Sequence, residues 1–320
     1  MTQLLLFNIF NGLIVGAFYA LMALGLSLIL NLSGVINFAH GGFLALGGYL
    51  AYQLIVGIAV PVVAFAGIHI SGATLIPPFI FGGFTLLPPI GFWGALILAP
   101  ILTAVLGIIV ERLLIRRVYG RDPLYSLLLT FGLAFMFEDG TRFIWGAQSL
   151  PYQVPAWLLS PLSGDLFFIT GYRLFMVAVV SIAVIGLFAI LAYTRLGVRI
   201  RAGTLDLETV SVLGVNVRWL RSLNFGLGIY LAGLAGVLAV GQLGLQPTIG
   251  GSLIMPSFVA IIVGGLGSLP GTLLGGLLIG VAAGVTTVFF PSATEAVIYV
   301  MMALVLLVRP RGLLGEEGRL

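Results

Sequence analysis

The sequence has no cysteine and no lysine. The first absence excludes a secreted disulfide scaffold. The second excludes a Walker-type ATP site within this polypeptide, because the phosphate-binding loop needs a lysine, and it excludes a Schiff-base enzyme. Charge of either sign is scarce: 8% of the 320 residues are charged and 60% are apolar. Soluble domains carry about a quarter charged residues, so neither a water-soluble globule nor a disordered tail fits. No charged residue precedes Glu111, and none sits in the middle of a later apolar run. Proton- and ion-driven carriers usually hold ionisable groups at membrane depth. Their lack argues for an external energy source, although a sodium site built from carbonyls and hydroxyls keeps a gradient-driven carrier as an alternative. Catalytic clusters are missing as well. There is no HExxH, no Ser with a plausible His partner, and the adjacent carboxylates Glu138 and Asp139 sit beside Arg142, where Glu138 and Arg142 read as a local i,i+4 ion pair. The two histidines, His40 and His69, give no ligand cluster. No enzyme activity, metal or cofactor is expected. The net charge of +4 is small and clustered, so it reads as membrane orientation and not as nucleic-acid binding.

What is present is a succession of apolar runs, each near the ~20 residues that cross a bilayer. They cover about 4–30, 35–56, 91–111, 124–142, 174–194, 222–245, 253–269, 271–290 and 295–308. The expected fold is all-α, a polytopic integral membrane protein of about eight or nine transmembrane helices, forming one domain over 1–320. The first run is too long for a signal peptide and lacks a basic leader, so it reads as a retained helix. All 14 basic residues are Arg. They gather at 112–122, 195–221 and 309–320, and short Arg-rich loops face the cytoplasm. The 143–172 stretch, with Trp145, Trp157, Pro151, Pro155, Pro161 and the isolated Asp165, then lies outside. Nine crossings give an outside N-terminus and a cytoplasmic C-terminus. Residues 57–90 hold Pro61, Pro77, Pro78, Pro88 and Pro89, and Pro pairs end helices. That stretch is expected to be an outer excursion or a re-entrant piece.

Forty-five glycines are spread through the chain. Gly12, Gly16 and Ala20 are four apart, as are Gly276, Gly280 and Gly284, and Ala232 and Gly236 form a further pair. Small residues at this spacing let helices pack closely in lipid; the alternative is a lining where substrate passes near the backbone. Two segments read as helix breaks. One is Asn37-Phe38-Ala39-His40-Gly41-Gly42, where Asn37 and His40, three apart, share a helix face. Buried polar groups in lipid must face protein or water, so these two either bond backbone where a helix unwinds or contact substrate. The other is Gly264-Gly265-Leu266-Gly267-Ser268-Leu269-Pro270-Gly271. It is a poor match to a dinucleotide fingerprint, lacking a preceding strand and placing Pro270 where the third Gly belongs. It reads as a tight break of the kind that lines transporter pathways.

Within 195–221, residues 206–213 are expected to form a short helix. Asp206 suits the N-cap, Glu208 the first turn and Gly214 the C-terminal cap, with Leu207, Val210 and Leu213 as an apolar face. Such a helix is either a membrane-surface filler or a docking element. At this point the motifs become informative together. The order RxRAxxxDxE from Arg199 and Arg201 to Glu208, LGVNV at 213–217 and LAGLAGVL at 231–238 resembles LivH-type permeases, the membrane subunits of ABC importers for branched-chain amino acids. The run from Asn11-Gly12 to Asn37-Phe38-Ala39-His40-Gly41 and the closing Arg309-Pro310-Arg311-Gly312-Leu313 carry the same resemblance, while 57–90 is longer than the family pattern. The resemblance implies an ABC importer permease fold in a bacterial inner membrane. It also implies a coupling helix at 206–214, with Arg199, Arg201, Asp206, Glu208, Leu213 and Gly214 against an ATPase. Asn37, His40, Gly41, Gly42, Gly264, Gly265, Gly267 and Pro270 would then mark helix breaks near the translocation path. Implied partners are a second homologous permease, two ATPase subunits and a periplasmic substrate-binding protein. Relatives of that family also carry urea, short amides and other amino acids.

Overall fold

The computed structural model describes residues 2–65, 69–70, 73–74, 79–164 and 167–315. Pro77, Pro78, Asp165, Glu316, Glu317 and Arg319 lie outside the described residues. The chain runs α1 (Thr2–Ser33), α2 (Ala39–Val56), β1 (Ile58–Phe65), β2 (His69–Ile70), β3 (Ala73–Thr74), β4 (Phe79–Leu87), α3 (Gly91–Leu113), α4 (Pro123–Trp145), α5 (Ala156–Leu159), β5 (Pro161–Gly164) and β6 (Phe167–Thr170), then α6 (Gly171–Tyr193), α7 (Arg195–Leu205), α8 (Leu207–Val212), α9 (Val217–Leu243), α10 (Ile249–Gly264), α11 (Leu269–Phe289) and α12 (Thr294–Val308). Six of these helices are long and apolar enough to cross a membrane on their own. With α2, α4 and the shorter α10, nine apolar helices stand among the described residues, each on one of the nine apolar runs.

Helix starts follow the side chains. Asp122 Oδ1 accepts from Leu124 N at 2.9 Å ahead of Pro123, whose missing donor costs nothing in a first turn. Asn216 caps α9 by accepting from Trp219 N, and Ser268 caps α11 by accepting from Gly271 N. Among the described residues, strands form three two-stranded antiparallel ladders, β1 with β4, β2 with β3 and β5 with β6. Within the 57–90 excursion, β1 and β4 pair antiparallel. The excursion leaves and returns at one end of the bundle, where Ile90 N donates to Leu54 O at 2.9 Å. Among the described residues no helix lies between Val56 and Gly91.

The connections sort onto two ends. At one, Trp145 Nε1 donates to Gln53 Oε1 (2.9 Å), Arg173 donates to Asn11 Oδ1 (2.5 Å) and Leu150 N donates to Leu245 O (2.9 Å). Glu138 and Arg142 pair there at 2.5 Å, as their spacing predicts. At the other end, Arg116 donates to Ser222 Oγ (2.6 Å), and Leu313 N and Leu314 N donate to Val263 O and Gly264 O. All three Arg-rich stretches thus share one end.

The two glycine rows face each other. A Cβ on Gly16 would stand 2.9 Å from Gly276 O, and Gly12 lies equally close to Gly280 and Gly284. Helix α1 therefore rests on α11 backbone to backbone, which is the packing reading of that spacing. The α1–α9 crossing is made the same way at Gly25 and Gly228, and Asn224 Nδ2 donates to Leu28 O (2.7 Å) across it.

Candidate functional site

The helical elbow after α6 is built from caps. Thr194 Oγ1 accepts from Gly197 N (3.1 Å) and starts α7. The reading of 195–221 as a loop with one short helix missed this element. Leu196, Ile200 and Gly203 carry its inward face at helical spacing, but Gly197 and Gly203 disguise it as a loop; both are buried where a side chain would strike α6 backbone or Leu32. Asp206 ends α7 and starts α8. Its Oδ1 accepts from Glu208 N (3.0 Å) and Thr209 N (3.1 Å), and the Thr209 hydroxyl donates to Oδ2. These bonds, the Thr209 hydroxyl foremost, hold the Asp206 carboxyl below its ordinary value. Gly214 closes the helix at φ +84°, a left-handed conformation that side chains resist. The expected apolar face of α8 splits. Val210 is buried and Leu207 half-buried, whereas Val212 and Leu213 stand 87% and 75% exposed. Leu213 and Gly214 instead join Arg199 and Trp219 around a groove of about 250 Å³.

Arg199 and Arg201 part company. Arg199 faces that groove, while Arg201 lines a separate cavity of about 470 Å³ shared with Asn31, Gly267 and Pro270. The helix-break residues divide too. Gly41 packs on Gly250 of α10, and Gly41, Gly42 and Phe38 line a crevice of about 200 Å³ with Phe131 and Phe135 of α4. Gly264, Gly265, Gly267 and Pro270 lie at the opposite break. There Gly264 packs on Gly271, Gly265 (φ +107°) meets Gly312, and Gly267 O accepts from Asn31 Nδ2 (3.3 Å).

Asn37 and His40 do not share a helix face, because α2 begins at Ala39 and Asn37 precedes it. The imidazole Nε2 is 3.2 Å from Met22 O, in an unbroken stretch of α1. The Asn37 amide is fully buried and makes no hydrogen bond among the described residues. Neither side chain lines the crevice.

Sequence reading also missed a buried polar knot. Glu111 is 0% exposed; its carboxylate accepts from Arg116 Nε and Nη2 (3.3 and 3.2 Å) and from Ser222 Oγ (2.6 Å). Arg112 lies over Trp219 and Arg221 over Tyr119, at 5.0 and 4.7 Å from the ring centroids. The knot ties the α3–α4 connection to the first turns of α9, immediately after α8. Its signal in the sequence was a carboxylate at the end of an apolar run with Arg five residues on.

Nine apolar helices among the described residues, one Arg-rich end and a capped helical elbow at that end make up the architecture of a membrane permease. The chain belongs to the family described as "Branched-chain amino acid transport system / permease component", whose model matches residues 8–307. It is 31% identical over 311 residues to the high-affinity branched-chain amino acid transport system permease protein BraD of Pseudomonas aeruginosa, covering 96% of this chain and 94% of that one. It is also 31% identical to LivH of Salmonella typhimurium, covering 97% and 95%, and 30% identical to LivH of Escherichia coli K12 over the same shares.

Proposed function

We propose that this chain is the permease subunit of an ABC importer that carries branched-chain, aliphatic amino acids across a bacterial inner membrane, with its Arg-rich end in the cytoplasm. The observation that carries this reading is α8. It is a short, rigidly capped helix at the end shared by every Arg-rich stretch, and it turns Val212 and Leu213 outward where a soluble partner would cover them. In this reading α8 docks on an ATPase, and Arg199 flanks the groove beside it. The polypeptide has no lysine for a phosphate-binding loop, so ATP is bound elsewhere. A second permease, two ATPases and a periplasmic binding protein complete the assembly. With the Arg-rich end inside, the N-terminus lies outside and the C-terminus inside. The crevice at Phe38, Gly41 and Gly42, walled by Phe131 and Phe135 and with Glu138 also in its lining, is the mostly apolar stretch through which an aliphatic side chain would pass.

The test is uptake of radiolabelled leucine into proteoliposomes holding the full assembly. Leu213→Asp should insert normally yet lose ATP-dependent uptake. Gly214→Glu should do the same, with the added strain of a side chain at φ +84°. Uptake that survives hydrolysis-dead ATPases and follows a sodium or proton gradient would overturn the proposal.

A further inference from the structure

The cavity beside Arg201 belongs to neither the crevice nor the α8 groove. Its walls come from the last turns of α1 and α6, the Ile200–Leu205 half of α7 and the first turn of α11, so it sits at the level where the bundle meets the membrane surface. At about 470 Å³ it falls in the size range of small-ligand pockets. Leu28, Phe188 and Leu191 make an apolar floor, and Arg201 stands at the rim with Asn31 and Ser268 nearby. No acidic residue lines it, and among the described residues Arg201 has no carboxylate partner.

These features select the ligand. An unpaired guanidinium calls for an anion, and its planar fork matches phosphate oxygens. The apolar floor calls for attached hydrocarbon, which a free inorganic anion lacks. A zwitterionic amino acid would leave its ammonium group without a carboxylate. Helix α7 adds to the case: its Arg195 and Arg201 lie among the exposed Tyr193, Val198 and Leu205. Arginines interleaved with exposed apolar residues are the pattern of a helix lying in the interface of an anionic membrane. We propose that this cavity binds the phosphate headgroup of an anionic phospholipid, with Arg201 as the phosphate ligand and the acyl chains leaving along α6. Arg201 is then a lipid contact and not an ATPase contact, which separates it from Arg199.

The experiment is native mass spectrometry of the full-length chain, titrated with phosphatidylglycerol or phosphatidylcholine. Wild type should retain phosphatidylglycerol about fivefold more tightly, the factor that one interfacial arginine supplies. Arg201→Gln should bring the two lipids to parity. Ala192→Trp, which obstructs the cavity from an exposed position on α6, should also weaken phosphatidylglycerol retention, and Arg199→Gln should leave it unchanged. Parity in the wild type overturns the proposal. So does equal loss in the two Arg variants, which would mean diffuse surface attraction. Displacement of the lipid by excess inorganic phosphate overturns it in favour of a free-anion site.

Discussion

Helices α1 and α3 are equally apolar over their most apolar stretches, yet 78% of that stretch is buried in α1 and 28% in α3. The most apolar of the six long spans, α6, is also only 28% buried, while the less apolar α9 reaches 83%. In water the greasier helix would take the centre. In lipid it need not, because acyl chains are as apolar as leucine and give no reward for hiding it. What draws α1 and α9 inward is the absence of side chains on one face. Gly12, Gly16 and Gly25 in α1, and Gly228 and Gly236 in α9, let backbones touch. Glycines on the outer helices, such as Gly132 and Gly186, have nothing within reach.

The most damaging way to break this contrast is a side chain in the central seam. A Cβ on Gly280 would strike Gly12 O and Gly16 Cα, main-chain atoms that cannot swing aside. Gly280→Val should cost upwards of about 3 kcal/mol, read as a lowered unfolding midpoint in mild detergent titrated with SDS. Next comes the polar knot. Glu111→Ala removes a buried carboxylate from Arg116 and Ser222. Breaking a fully buried pair typically costs 3–5 kcal/mol, but the Arg116 side chain remains 32% exposed, so about 2 kcal/mol is expected in the same titration. If that variant is as stable as wild type, the Arg-rich end is not held by this knot.

Smaller and purely local is the cap of α8. Asp206→Ala should leave the midpoint unmoved and speed amide exchange at Glu208 and Thr209. The carboxyl is held below its ordinary 3.8. Its contribution is therefore complete above that value and fades as pH falls through the lower folded-state value. Protection of α8 in the wild type should drop only in that acidic window. Least of all is Gly186→Ala on the lipid face of α6, expected within about 0.5 kcal/mol of wild type. A large loss there would mean that a partner covers this face.

Most of the architecture was legible. Apolar run length gave all nine helices, Arg clustering gave the end they share, and four-residue glycine spacing gave two close-packing faces, though not that they meet each other in the α1–α11 seam. Three things were not. Helix α7 was hidden because its two buried glycines read as loop residues, and their small size is the condition for packing against Leu32 and the end of α6. The two arginines of the RxRA motif were read as one site, because a two-residue spacing says little about which cavity each side chain enters once the helix is wedged between α1 and α6. Asn37 and His40 looked like neighbours on one face only because the helix start was placed too early; α2 begins after Phe38, and the register changes with it.

The α1–α11 seam also has a thermal consequence. Glycine has no rotamers to lose, so closing this contact immobilises no side chain at its glycine positions. A seam of leucines would be opposed by that lost freedom, more strongly as temperature rises. One in which glycine backbones make the closest contacts escapes most of this penalty, and α1 and α11 should stay joined on heating after the more richly decorated contacts of α3 and α6 have begun to loosen.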